Sequence, residues 1–121
     1  MIGLEVVRIG TVRDIGDGRS LLEVLPAYLD GLHGLIEGVR VQVLYWMHDL
    51  THADRRALRV HRRGDPSAPI CGVFSLRSPM RPNPIGVTEA DVVEVRERGL
   101  VVLGLDARDG SPLIDIKAVC R

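Results

Sequence analysis

The sequence predicts an all-β fold, a closed or nearly closed antiparallel barrel with short helical segments. Three observations predict it. Short apolar runs recur along the chain, separated by turns rich in Gly, Pro and Asp. Hydrophobic residues make up 45% of the 121, yet the aromatic ones are Tyr28, Tyr45, Trp46 and Phe74 alone, so Val, Leu and Ile must build the core; β-branched side chains pack well on strands. Between Val39 and His48 the alternation of faces is clear. The length suits one domain, residues 1–121, with a single core.

The elements follow in order. LEVVRIGTV, Leu4 to Val12, reads as an opening strand, and DIGDGR, Asp14 to Arg19, as a glycine-containing turn. Ser20 to Leu25 is a second strand. Pro26 opens PAYLDGLHGL, where Tyr28, Leu29, Leu32 and Leu35 recur at helical spacing, and its glycines limit it to a turn or so of helix. On the strand to His48, Val39, Val41, Val43, Tyr45 and Met47 face one side. Arg40, Gln42, Leu44, Trp46 and His48 face the other, and Leu44 with Trp46 calls for cover there. Asp49 to Arg63 is polar, with a short helix around His52 to Leu58. Ile70 to Leu76 is expected as a strand buried on both faces. Pro79, Pro82 and Pro84 then exclude helix and any central strand. Gly86 to Glu97 and Leu100 to Leu105 form a hairpin across Glu97-Arg98-Gly99, Asp109-Gly110 a further turn, and Pro112 to Val119 a last strand.

Charge and cysteine usage exclude little. Sixteen basic and sixteen acidic residues balance, whereas nucleic-acid binders usually carry a basic excess. Arg55, Arg56, Arg59, His61, Arg62 and Arg63 do cluster, followed by Arg77 and Arg81; such a run is more often a solvated loop than a phosphate track. Cys71 and Cys120 could form at most one disulfide, and no metal site is expected from His33, His48, His52 and His61 with these cysteines. No apolar run approaches the ~20 residues of a membrane span. A reduced cytoplasmic setting is the expectation.

Two constellations can carry chemistry. In RSPMRPNPIG, Arg81 and Asn83 each precede a proline, so both are held on stiff, extended backbone. That arrangement can orient a ligand or simply stiffen a surface loop. Because the backbone is held by the prolines, Arg81→Ala is expected to leave the fold intact. Near the end of the chain come Asp106, Asp109-Gly110-Ser111-Pro112, Asp115 and Lys117. Asp115 and Lys117 share one strand face, with Ile114 and Ile116 on the other. Inside a barrel they would be a perturbed pair; on a solvated face, an ordinary surface pair.

The run GVFSLRSPMRPNPIGV, Gly72 to Val87, resembles the signature of the TrmO family, also called TsaA-like. LDARDGSPLIDIKAV resembles that family's second signature, RIGTVR at Arg8 to Arg13 its opening strand, and Leu25 to His48 its Pro-Tyr, Gly-Leu and apolar strand ending in His. The resemblance implies a single-sheeted β-barrel and a dimeric enzyme, an S-adenosyl-L-methionine-dependent methyltransferase acting on N6-threonylcarbamoyladenosine in tRNA beside the anticodon. Cofactor positions carried over are His48, Asp49, Arg77, Val87, Asp109, Gly110, Ser111 and Pro112. Arg81, Asn83, Asp115 and Lys117 match the remaining polar positions and are candidates for catalysis, substrate contact or scaffolding. The ureido nitrogen is poorly basic, so a side chain must accept or polarise its proton, and Asp115 and His48 are the two that could do so.

The chain departs from the pattern in places. Relatives usually carry a longer segment with a Pro-Arg-Gln-Pro-Gly-like run where this chain has Asp14 to Arg19, and a Phe-Ser-His approach to the long strand where it has Gly38-Val39-Arg40. The additional C-terminal domain of some members is not expected after Lys117. Same-fold methylation of a small-molecule acceptor, or a non-catalytic S-adenosyl-L-methionine-binding module, are the alternatives.

Overall fold

The computed structural model describes residues 3–119. Six strands close into one antiparallel barrel, in the order β1-β2-β7-β6-β3-β8 and back to β1. Their ranges are β1 Gly10–Gly16, β2 Arg19–Val24, β3 Arg40–Trp46, β6 Ile85–Arg96, β7 Gly99–Leu103 and β8 Pro112–Ala118. A separate two-stranded ribbon pairs β4, Arg59–His61, with β5, Ile70–Gly72.

β1 and β2 meet through Asp17-Gly18, with φ of 57° and 72°. Left-handed geometry at both positions lets a two-residue loop follow the natural twist of the strands. The side chains alternate as expected: Val12, Leu22, Val41, Val43, Val92, Leu100, Val102 and Leu113 are buried in one cluster. Leu29, Leu32 and Leu35, from the 3-10 turn Pro26–Leu32 and just beyond it, pack against that cluster. They lie at the barrel end where Val24 N–H bonds the Arg98 carbonyl of the β6–β7 turn. The opposite end carries the end of β3, the start of β6 and the loop from β7 to β8.

Three expectations need correction. The opening strand does not begin at Leu4: pairing starts at Gly10, and Leu4, Val6 and Val7 are more than half exposed. Gly10 and Thr11 are the residues in register with β8, and Ile9 adds one N–H bond to the Leu113 carbonyl, so no described strand pairs residues 4–8. The strand instead runs on through Gly16, into the expected turn. Ile70 to Leu76 is not a doubly buried strand. It pairs for three residues with β4 and becomes a 3-10 turn, Val73–Ser75. Val73 is buried while Ile70 and Phe74 are exposed, because a two-stranded ribbon has no second layer to cover it. The helix expected to reach Leu58 is a single turn, α1 His52–Arg55, closed by a capping box between Thr51 and Asp54. Cys120 lies outside the described residues, so the Cys71–Cys120 pairing does too.

Candidate functional site

Two adjoining cavities, of about 350 and 360 Å³, open at the β3–β6 end of the barrel and share Tyr45, Met47, Pro79 and Asp106. Their position follows from the topology. β7 pairs with β6 only from Asp91 onward, so Ile85 to Ala90 hydrogen-bond β3 on one side and leave the other edge without a strand. The loop after β7 passes over this end. Tyr45, the last inward residue of β3, reaches it: its hydroxyl donates to the Asp106 carbonyl at 2.5 Å. A phenol has one proton, so at 3.1 Å it is Thr88 that donates to Tyr45.

His48 and Asp49 follow β3 and line the first cavity together with Ser111. Ser111 is buried and gives its hydroxyl proton to the Arg108 carbonyl at 2.6 Å. Toward His48 Nδ1, 3.4 Å away, it can therefore act only as acceptor. On the other side of the ring, Nε2 faces the Asp49 carboxylate at 3.4 Å. The turn carrying Ser111 is anchored to β1. Gly110 N–H donates to the Val12 carbonyl and Val12 N–H to the Ser111 carbonyl. Asp109 accepts from the Asp14 N–H at 2.9 Å, so its carboxylate ties this turn to the first hairpin.

Arg77 lines the second cavity and donates to the Val87 carbonyl at 2.5 Å, on the strand edge that β7 leaves open. Arg81 lines the same cavity, but its guanidinium is turned into its own loop. It donates to the carbonyls of Ser78, Leu76 and Val73. Arg55 braces the loop from below, donating to the Pro82 carbonyl while its guanidinium stacks 5.1 Å from the Trp46 ring centroid.

The structure thus brings together His48, Asp49, Arg77, Val87, Arg81 and Ser111, with Asp109, Gly110 and Pro112 on the adjoining turn. It does not bring Asn83, Asp115 or Lys117 into either lining. A register shift in β8 beside Leu44 and Tyr45 lets both Leu113 and Ile116 reach the core. Asp115 and Lys117 consequently point outward, paired at 3.3 Å with about half of each side chain exposed. Sequence reasoning passed over Tyr45 and Met47 as site residues. Tyr45 and Met47 carried a signal, since they stand on the inward face just before His48.

The chain matches the family model of the tRNA-methyltransferase O N-terminal domain over residues 13–121. It belongs to that family. An S-adenosyl-L-methionine-binding protein of Archaeoglobus fulgidus is 45% identical over 101 residues, 84% of this chain and 69% of that protein. A probable S-adenosyl-L-methionine-binding protein of Pyrococcus horikoshii is 36% identical over 114 residues, 93% of this chain and 80% of that one. A solved TrmO structure superposes with a TM-score of 0.73 at 26% identity, over 98% of this chain and 58% of that one. The chain therefore spans little more than half of that solved TrmO chain.

Proposed function

We propose that this chain is an S-adenosyl-L-methionine-dependent methyltransferase whose acceptor is N6-threonylcarbamoyladenosine in tRNA. The observation that carries the reading is convergence. Residues from three separated segments, His48 after β3, Arg77 before the proline loop and Ser111 on the last turn, line adjoining cavities at one barrel end in a member of the TrmO family.

The lining suits the cofactor. Tyr45, Met47 and Pro79 offer apolar walls for an adenine, and Arg77 has guanidinium N–H groups beyond the one given to Val87 with which to hold a carboxylate. S-adenosyl-L-methionine supplies, when bound, an electrophilic methyl group for in-line displacement, in which alignment provides much of the rate. His48 is the side chain placed to take the acceptor nitrogen's proton: its imidazole lines the first cavity between Ser111 and Asp49. Asp115, bound to Lys117 on the outer wall, is the weaker choice.

Incubating the protein with tRNA that carries N6-threonylcarbamoyladenosine without the methyl group, together with methyl-deuterated S-adenosyl-L-methionine, then analysing nucleosides by mass spectrometry, tests this. A labelled methyl on the N6-threonylcarbamoyladenosine nucleoside is the expected result. Cofactor binding by calorimetry without any labelled nucleoside would instead favour a small-molecule acceptor or a binding module. The two-residue turn between β1 and β2, which leaves the cavities without an enclosing segment from that side, is the observation on which those second readings rest.

A further inference from the structure

We propose that a groove outside the cofactor cavities, lined by Arg62, Arg63 and Arg77, is the track for the phosphodiester backbone of the acceptor RNA. This rests on the tRNA reading above and names the surface that would serve it. The groove has a volume of about 640 Å³ and lies between the 61–64 turn and the 75–80 loop. Its lining shares Leu76, Arg77 and Pro79 with the second cavity, so a strand lying in it passes the mouth of the methyl-transfer site.

Charge points to a polyanion. The whole chain is neutral, but residues 51–81 hold seven arginines (55, 56, 59, 62, 63, 77 and 81) against Asp54 and Asp65, a local charge of +5. Both aspartates are already engaged. Asp54 closes the capping box with Thr51. Asp65 accepts from the Ser67 N–H and hydroxyl, which hold its carboxyl below the usual range. Two of the arginines are engaged as well: Arg55 on Trp46 and Pro82, Arg81 on three carbonyls. Arg62 and Arg63 are exposed and form no ion pair with any described residue. Their placement is held at a backbone cost. Arg63 is left-handed, φ 56° and ψ 22°, a conformation that strains a non-glycine residue and turns the chain back beside the 75–80 loop.

A second observation separates a nucleic acid from other polyanions. Phe74, next to the groove residue Ser75, is 81% exposed. A bare aromatic ring one residue along the chain from an arginine-lined groove is the combination that stacks a base while phosphates are neutralised. An acidic protein segment offers charge without bases to stack.

The test compares the whole protein with Arg62→Gln/Arg63→Gln, with Phe74→Ala, and with Arg98→Gln, a charge-removing control on the turn at the opposite barrel end. An anticodon stem-loop RNA is titrated by fluorescence anisotropy across a salt series, melting temperature confirms folding, and calorimetry reads S-adenosyl-L-methionine affinity. The groove predicts that the double variant binds RNA more weakly and that its log K against log salt slope flattens by about 1.4, the amount set by two phosphates of a single strand that are no longer neutralised. Phe74→Ala weakens binding with the slope kept, Arg98→Gln changes little, and cofactor affinity holds in all three. Wild-type RNA binding that survives unchanged in the double variant overturns the groove and leaves the acceptor reading standing. A wild type that binds no RNA overturns both. Equal loss of binding to a poly-glutamate probe assigns the groove to an acidic protein partner and overturns the proposal as well.

Discussion

Arg77 and Arg81 sit four residues apart on one loop, and their hydrogen bonds give them different roles. The prolines flanking Arg81 suggested a backbone that keeps its shape without the side chain. Instead the guanidinium gathers three carbonyls from Val73, Leu76 and Ser78, so the loop is held by the arginine as much as by proline. Removing it strands carbonyls in a partly buried position, each worth about 1 kcal/mol or more. Arg81→Ala is therefore expected to destabilise by about 2 kcal/mol and lower the melting temperature on the order of 8 °C. Arg77→Ala makes the opposite pattern. It loses one bond to Val87, melts within a few degrees of wild type, and weakens S-adenosyl-L-methionine binding. Calorimetric melting and cofactor titration on both variants check the pair; equal melting temperatures would return Arg81 to the acceptor side of the site.

At the scale of the elements, β3 and the β6–β7 hairpin were legible because burial on one face writes itself into alternation: Val41, Val43 and Tyr45 inward, Gln42, Leu44 and Trp46 outward. Leu4 to Val7 and Ile70 to Phe74 depart from expectation for the converse reason. Apolar composition says a residue can be buried, while pairing decides whether it is, and pairing is set by strands remote in sequence. The proline-rich signature was legible as a site, yet the purpose of its glycine appears only in the packing. A Cβ on Gly86 would stand 2.5 Å from the Tyr45 ring, whose hydroxyl is fixed between Asp106 and Thr88. The ring cannot move without breaking those bonds. Gly86→Ala is expected to cost about 1–3 kcal/mol through overpacking and to displace the tyrosine that both cavities share. Chemical denaturation reads the first effect and S-adenosyl-L-methionine affinity the second; a variant normal in both would mean the ring has room to shift.

For the whole molecule, the homodimer implied by the sequence needs a different rationale from the one first apparent. Leu44 and Trp46 were expected to need cover. Arg55 lies over the Trp46 ring, and Leu44 is flanked by Val87 and Asp115 of the neighbouring strands. Among the uncovered apolar side chains, three lie together in sequence: Leu4 is 91% exposed, Val6 54% and Val7 56%. They precede the barrel's shortest seam, where β1 meets β8 at two residue pairs. Beyond that seam Asp115 to Ala118 pair with β3 alone among the described strands, so one backbone edge of β8 stands open beside an extended apolar segment. An open edge next to apolar side chains is the usual template for pairing with another chain. A homodimer is therefore expected to form at the β1–β8 seam, with Leu4, Val6 and Val7 of each copy buried against the other. Light scattering at working concentration is expected to give twice the 13.3 kDa chain mass. Val6→Asp/Val7→Asp should shift it to the monomer, because two carboxylates cannot be buried there unpaired. These residues lie outside the buried cluster, so the melting temperature extrapolated to low concentration should not change. A monomeric wild type would remove the dimer, and a dimer untouched by the double variant would place its interface on another face.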